Sequence, residues 1–159
     1  MATEIERKFL VGDDRWRATA DAGTPLRQGY LCEVPERTVR VRTAGDRAFL
    51  TIKGKTVGAS RSEFEYAIPF ADAEALLTLC VPPLIEKTRY RVAHASHIWE
   101  IDVFAGANAG LILAEVELRT ETEAVRLPDW AGTEVTTDPR YYNVHLRAHP
   151  YRTWQSDDG

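Results

Sequence analysis

The sequence predicts an α+β domain built around a mostly antiparallel sheet of eight strands, with a few short helices beside it. Two observations carry this. Eight segments alternate side-chain character at a period of two, and short turns, two of them carrying glycine, join several of them directly. Helical periodicity is confined to brief stretches. A chain of 159 residues is long enough for one real core and is expected to form a single unit over residues 1–159.

The strands are expected at Thr3–Phe9, Leu26–Glu33, Arg37–Thr43, Arg47–Lys53, Arg61–Pro69, Leu84–Ala93, His97–Phe104 and Leu111–Arg119. The turns Ala44-Gly45-Asp46 and Val57-Gly58-Ala59 suit antiparallel hairpins, and Ala95-Ser96 suits a two-residue loop. Helices are expected over Asp13–Ala20, over Ala71–Cys80 before the Pro82-Pro83 stop, and over about Thr120–Arg126. A fourth is expected over Tyr141–Ala148, with Asp138 as N-cap, Pro139 in the first turn and Pro150 ending it.

Composition narrows the function classes. Hydrophobic content of 44% with 28% charged residues is globular, and no apolar run is long enough to span a bilayer. The N-terminus shows no apolar signal segment, so a cytoplasmic protein without a membrane partner is expected. A net charge of -4 argues against nucleic acid, so any polyanion has to be bound locally, against the global field. Cys32 and Cys80 are far apart with no CxxC spacing, which argues against a thiolate metal site and for inert buried thiols.

The alternation has a chemical content. In the opening Glu-Ile-Glu-Arg-Lys, residues Glu4, Glu6 and Lys8 share one strand face. The same pattern returns with Arg40 and Arg42, with Lys53, with Glu63 and Glu65, with Lys87, Arg89 and Arg91, with Glu100 and Asp102, and with Glu115 and Glu117. The opposite parity is mostly neutral or apolar, as in Ile5 and Phe9, Val39 and Val41, Leu50 and Ile52, or Trp99, Ile101 and Val103, with Arg7 and Glu86 as exceptions. Such a sheet fits two architectures: open, with its ionic face in water, or curled shut with that face inside. Eight strands suffice for a small barrel that holds one ligand. An enclosed ionic interior is electrostatically costly unless a ligand completes it.

The ordered set of these motifs resembles the CYTH superfamily, the triphosphate tunnel metalloenzymes. Glu4-x-Glu6-x-Lys8, Arg40-x-Arg42, Thr-Ile-Lys53-Gly, Lys87-x-Arg89, the Asp102 strand, Glu115-x-Glu117 and the Asp-Pro-Arg-Tyr-Tyr-Asn stretch follow the family's order over nearly the whole chain. The resemblance implies a closed eight-stranded antiparallel β-barrel, a tunnel with flanking helices, that binds a triphosphate-containing small molecule with Mg2+ or Mn2+. It implies Glu4, Glu6, Glu115 and Glu117 as metal ligands and Lys8, Arg40, Arg42, Lys53, Lys87 and Arg89 as the phosphate clamp. A second metal ion, or Glu63 and Glu65 through a water, is then what orients or activates the nucleophile. The residue types suit these tasks, because phosphate oxygens take Arg forks and Lys charges while hard cations take carboxylate oxygens.

Among family activities the chain resembles the short bacterial members that hydrolyse inorganic triphosphate to pyrophosphate and phosphate. Its inward parity shows only Phe49 and Phe104 as evident aromatics, which gives a nucleoside little to stack on. Adenylate cyclase, thiamine or nucleoside triphosphatase, and a non-catalytic polyphosphate-binding module are the alternatives, and a homodimer is left open. Arg91, Glu100 and Asp102 are expected to pair with neighbours. His94 and His97, and His145 and His149, are expected at the surface, Lys55 in solvent or at a tunnel mouth, and the four tryptophans in packing or at a rim.

Overall fold

The structure, a computed structural model, describes residues 3–156. All eight expected strands are present: β1 (Thr3–Val11), β2 (Thr24–Val34), β3 (Arg37–Ala44), β4 (Arg47–Gly54), β5 (Ser60–Ala67), β6 (Ile85–His94), β7 (His97–Phe104) and β8 (Ile112–Glu117). They are hydrogen-bonded in the order β5-β4-β3-β2-β6-β7-β8-β1, and β1 pairs back onto β5. That closing seam is short, with Thr3–Ile5 set antiparallel to Ser60–Ser62. Closure selects the second architecture and removes the long open edges of a flat sheet.

A ninth strand, β9 (Ala131–Glu134), was not expected from its sequence Ala-Gly-Thr-Glu. It pairs Phe9 with Glu134 and Val11 with Ala131, extending the wall along β1 beyond the residues that meet β5. Arg7, the charged exception on the outer parity of β1, is explained by this strand: its guanidinium meets the Glu134 carboxylate at 2.8 Å.

The helices are fewer and shorter than expected. Asp13–Ala20 contracts to a 3-10 turn, Arg15–Thr19, because the Asp13 carboxylate already accepts the Arg15 N–H and Ala20 is extended again. The segment Thr120–Arg126 forms no helix. There the Glu123 carboxylate accepts the Arg119 N–H at 2.7 Å and also meets His97, and Pro128 biases the residue before it away from helical backbone. The expected 71–80 helix is α1 (Phe70–Leu77). The C-terminal helix is divided: a 3-10 turn over Pro139–Tyr141, capped by Asp138 as expected, then extended Tyr142, then α2 (Asn143–Ala148). Among the described residues no helix is long and apolar enough to cross a membrane.

The outer face is covered in two places. Phe9, Trp16, Trp99, Val116 and Trp130 form one cluster, in which the Arg15–Thr19 turn inserts Trp16 and the 119–130 segment supplies Trp130. Val41 and Ala48 form another with Ala73 and Leu77 of α1 and with Cys80. Each fully buried large side chain contributes about 1.5–3 kcal/mol.

The inner face departs from the simple parity picture. Leu10, Ile85, Phe104 and Leu113 share the inward parity of Lys8, Lys87, Asp102 and Glu115, yet they pack with Val135, Tyr141 and Leu146 in an apolar cluster flanked by Tyr151 and Trp154. One sector of the barrel interior is therefore filled by the C-terminal segment, and the remainder carries the charge.

A bulge in β2 shapes the wall further. Tyr30 pairs with Arg40 but Cys32 pairs with Val39, so Leu31 is the extra residue and Glu33 is returned to the inward parity. There Glu33 receives two hydrogen bonds from Arg147 of α2, at 2.7 Å from Nε and 2.5 Å from Nη2. Arg147 also donates to the Pro82 carbonyl at 2.8 Å, which ties α2 to the barrel. Just before the bulge, Gly29 lets β2 approach the end of α1: a Cβ there would lie 2.7 Å from both Cys80 Cβ and Leu84 Cδ2. Gly29→Ala is expected to cost about 1–3 kcal/mol through overpacking. Urea unfolding measures this, and an unchanged midpoint would show that the strand shifts freely.

Candidate active site

The charged side chains converge on a cavity of about 870 Å³ inside the barrel. Its wall includes Glu4, Glu6 and Lys8 from β1, Arg40 and Arg42 from β3, Lys53 from β4, Arg61, Glu63 and Glu65 from β5, Arg89 from β6, Glu100 from β7, and Glu115 and Glu117 from β8. Pro139, Tyr142, Asn143 and His145 contribute from the C-terminal segment. Strand register arranges the acids: Glu6 is directly opposite Glu117, and Lys8 is opposite Glu115.

Much of this charge is already neutralised in pairs. Asp102, 1% exposed, lies 2.7 Å from Lys87 Nζ and accepts two hydrogen bonds from Arg89 at 2.7 and 2.9 Å. Burial alone would raise the Asp102 pKa, but Arg89 and Lys87 outweigh it and hold the carboxyl far below its ordinary range. Burial, and then the positive neighbours Arg89 and Arg42, bring Lys87 down to about 7 against the pull of Asp102. Lys87 also donates to Asn143 Oδ1 at 3.3 Å, so it is locked beneath the C-terminal segment and does not line the open cavity. At the closing seam Lys53 Nζ lies 2.8 Å from Glu4 and 3.2 Å from Glu63, while Arg61 Nε is 3.5 Å from Glu4. Lys8 is 3.7 Å from Glu115 and donates to the Tyr141 carbonyl at 3.1 Å.

Arg40, Arg42, Glu6 and Glu117 stand outside these pairs, as do the exposed Glu65 and Lys55. Among the described residues neither Arg40 nor Arg42 has a carboxylate within ion-pair distance: Arg40 donates to Thr51 at 3.3 Å and leaves its Nε without a hydrogen-bond partner, and Arg42 donates to Gln28 at 2.7 Å. Burial, with Arg40 and Arg89 adding repulsion, lowers the Arg42 pKa to about 9. On the acidic side neither Glu6 nor Glu117 has a basic partner within that distance among the described residues. Burial and then Glu115 and Glu4 push the Glu6 pKa well up, and burial followed by Glu4 and Glu100 raises that of Glu117. Among the described residues the cavity thus presents guanidinium groups without acidic partners on β3 and carboxyl groups without basic partners on β1 and β8.

A CYTH domain model matches residues 2–142. The chain belongs to the CYTH family. It is 44% identical over 156 residues to an inorganic triphosphatase of Acetivibrio thermocellus, covering 98% of this chain and 99% of that protein. It is 41% identical over 152 residues to an inorganic triphosphatase of Nitrosomonas europaea, covering 91% of this chain and 96% of the other. Among solved structures, that of the inorganic triphosphatase NE1496 is 38% identical, with a TM-score of 0.65 and coverage of 92% of this chain and 95% of its own.

In this CYTH barrel, strand parity brings together eleven of the twelve residues singled out in the sequence, with Lys87 set behind them. Glu117 and Glu65 are exposed, whereas Glu115 and Lys53 are buried. Arg91, Glu100 and Asp102 were expected to pair locally: Glu100 and Asp102 both bind Arg89, and Arg91 is exposed. Arg61 was missed, although it shares the parity of Glu63 and Glu65. Tyr30 was missed as well, and with Tyr142 it corrects the expectation that Phe49 and Phe104 are the only inward aromatics; Phe104 is buried in the apolar sector. His145 and His149, both expected at the surface, both line the cavity, His145 part-buried and His149 exposed. His94 and His97 face each other across the Ala95-Ser96 turn, both partly buried. Lys55 is exposed and lies on the cavity wall.

Asp102→Asn is expected to destabilise the protein by about 3–5 kcal/mol, because it leaves the buried Lys87 and the part-buried Arg89 without that carboxylate. The native Asp102 pKa is depressed, so its contribution is complete above its unfolded value of about 3.9 and is lost as pH falls below it. Thermal unfolding of both proteins from pH 7 down to pH 3 checks this: the gap should be full at neutral pH and narrow in acid.

Proposed function

We propose that this protein hydrolyses inorganic triphosphate (tripolyphosphate) to pyrophosphate and phosphate with Mg2+ or Mn2+. The observation that carries this reading is the separation of unpaired charge, Arg40 and Arg42 on one wall and Glu6 and Glu117 on another. A polyanion accompanied by a hard cation neutralises both at once. The naming of the two CYTH relatives as inorganic triphosphatases supports the same substrate.

The donor set fits such a cation. Carboxylate oxygens suit magnesium and manganese, and Glu6, partly buried among Glu4 and Glu115 with no basic partner, is a group whose charge calls for one. Among the described residues no three ligating side chains are drawn together tightly enough to hold an ion unaided, which suits a site whose remaining ligands are substrate oxygens and water. Glu6 and Glu117 would be the principal ligands, with Glu4 and Glu115 beside them. When bound, the ion would neutralise phosphate oxygens and polarise the phosphoryl group.

The chain's own residues supply the rest. Arg40 and Arg42 present guanidinium forks to the phosphate chain, and Lys8, Lys53 and Arg89 add fixed positive charge that opposes the charge developing on the departing pyrophosphate. Lys87 and Asp102 hold Arg89 in place from behind. Glu63 would accept a proton from the attacking water, because burial and the nearby Glu4 raise its pKa and make it a stronger base, and Glu65 lies on the same strand face beside it. Water attacks the terminal phosphorus, the bridging P–O bond breaks, and pyrophosphate takes the electron pair. Cys32 and Cys80 are free thiols, as suits a reducing cytoplasmic setting.

Tripolyphosphate is expected to exceed ATP in kcat/KM by at least about tenfold, or about 1.4 kcal/mol of transition-state stabilisation. The two tyrosines do not alter this, because Tyr30 is buried and the Tyr142 ring has Lys8 Nζ 5.6 Å from its centre. Steady-state phosphate release with magnesium or manganese, and chromatography of the ATP products, decide it. A preference for ATP, or formation of cyclic AMP, would overturn the substrate. Glu6→Gln and Glu117→Gln are each expected to reduce turnover by at least about a hundredfold while retaining the native circular dichroism spectrum. Full activity in either folded variant would remove that residue from the site.

A further inference from the structure

Glu33 is an acid on the cavity wall that belongs neither to the cation side nor to the phosphate clamp. It points inward because the extra residue Leu31 shifts the β2 register, and a bulge that re-aims a side chain is a built feature of a strand. Its charge does not repel an anion, since both carboxylate oxygens are taken by Arg147, at 2.7 Å from Nε and 2.5 Å from Nη2. The Glu33 and Arg147 side chains are 21% and 13% exposed, so salt screens the pair little and the guanidinium fork fixes its orientation.

The pair joins two elements that border one opening. The cavity reaches the exposed Val34 and Pro35 of the β2–β3 hairpin on one side and the exposed Ala148 and His149 at the end of α2 on the other. With six residues α2 is too short to stand by itself. Leu146, 0% exposed, seats it on the apolar sector, and Asn108 fastens it toward the β7–β8 connection by donating to the Leu146 carbonyl at 3.3 Å. Toward the hairpin it is held by Arg147, whose remaining bond goes to the Pro82 carbonyl at 2.8 Å. Apolar packing would hold α2 on the barrel about as well as an ion pair removed from water. What the fork adds is one fixed placement of the helix, and with it one fixed width of the opening.

Resting on the polyphosphate reading above, we propose that the Glu33–Arg147 bridge is a specificity determinant: it holds α2 against the mouth so that a bare triphosphate is accommodated and a triphosphate carrying an organic substituent, such as a nucleoside, is refused. Both are positioning residues that act through α2. The rim agrees with this, because Val34, Pro35 and Ala148 carry no side-chain hydrogen-bonding group for a base or ribose, and Glu33 and Arg147 are committed to each other.

The test is calorimetric titration of the full chain, with magnesium, against two probes: imidotriphosphate, whose P–N–P links resist hydrolysis, and the β,γ-imido analogue of ATP. Wild type should bind imidotriphosphate about tenfold or more tightly than the ATP analogue. In Glu33→Ala and in Arg147→Ala the ATP analogue should gain about tenfold while imidotriphosphate stays within about threefold, and the double variant should gain no more than either single one, since both cut the same contact. Glu33→Gln, which keeps the side-chain shape and should move the same way, replaces any variant whose circular dichroism shows it unfolded. An ATP analogue that gains no more than imidotriphosphate, or gains that multiply in the double variant, would overturn the assignment. Phosphate release from tripolyphosphate separates the two readings. Wild type that binds imidotriphosphate but releases no phosphate would end the hydrolase reading while the bridge is judged by the same titration; wild type that does not bind it, or binds the ATP analogue better, would end both.

Discussion

A closed wall around ionised side chains is the constraint on which this protein is organised. Each carboxylate or guanidinium removed from water loses hydration that only close, well-aligned partners restore. The barrel meets that demand for most of its interior groups: Asp102 with Lys87 and Arg89, Glu4 with Lys53 and Arg61, Glu115 with Lys8. These pairs are architecture as much as chemistry. The Lys53–Glu4–Arg61 group spans the seam between β1 and β5, where three of the described residues on each strand are in register, so charge at the site and closure of the fold are bound together.

The C-terminal segment meets the same constraint in a different way. Its Tyr141 and Leu146 join Ile85, Phe104 and Leu113 to convert one sector of the interior into ordinary apolar core. The Tyr141 carbonyl and the Asn143 side chain then accept from Lys8 and Lys87. The Leu31 bulge, which turns Glu33 inward, gives Arg147 of α2 its anchor. The charged volume is thereby narrowed to the region where Arg40, Arg42, Glu6 and Glu117 have no oppositely charged partner among the described residues.

The period-two pattern made the eight strands and the charged interior legible in the sequence, because one face of each strand must be chemically uniform when it lines a common surface. Closure was not legible from periodicity, which is the same for an open sheet; the ordered motifs supplied it. β9 escaped because Ala-Gly-Thr-Glu has no alternating apolar face, and its pairing depends on which edge of β1 is left free. The expected 120–126 helix failed because Glu123 is committed to Arg119 and His97, a tertiary preference that local propensity does not register. Arg61 and Tyr30 could have been found by extending the inward parity one step along β5 and through β2. His145 could not, since its direction depends on how α2 is anchored by a bulge in a distant strand.

If the interior is a set of internal pairs plus groups, Arg40, Arg42, Glu6 and Glu117 among them, that await a polyanion and a cation, then binding of the two ligands has to be mutually dependent. The direct test is a thermal-shift matrix of the full chain against magnesium and imidotriphosphate, each varied alone and together. The account predicts a small rise in melting temperature with either alone and a rise with both that exceeds their sum. Shifts that simply add, or a full shift from one ligand without the other, would contradict it.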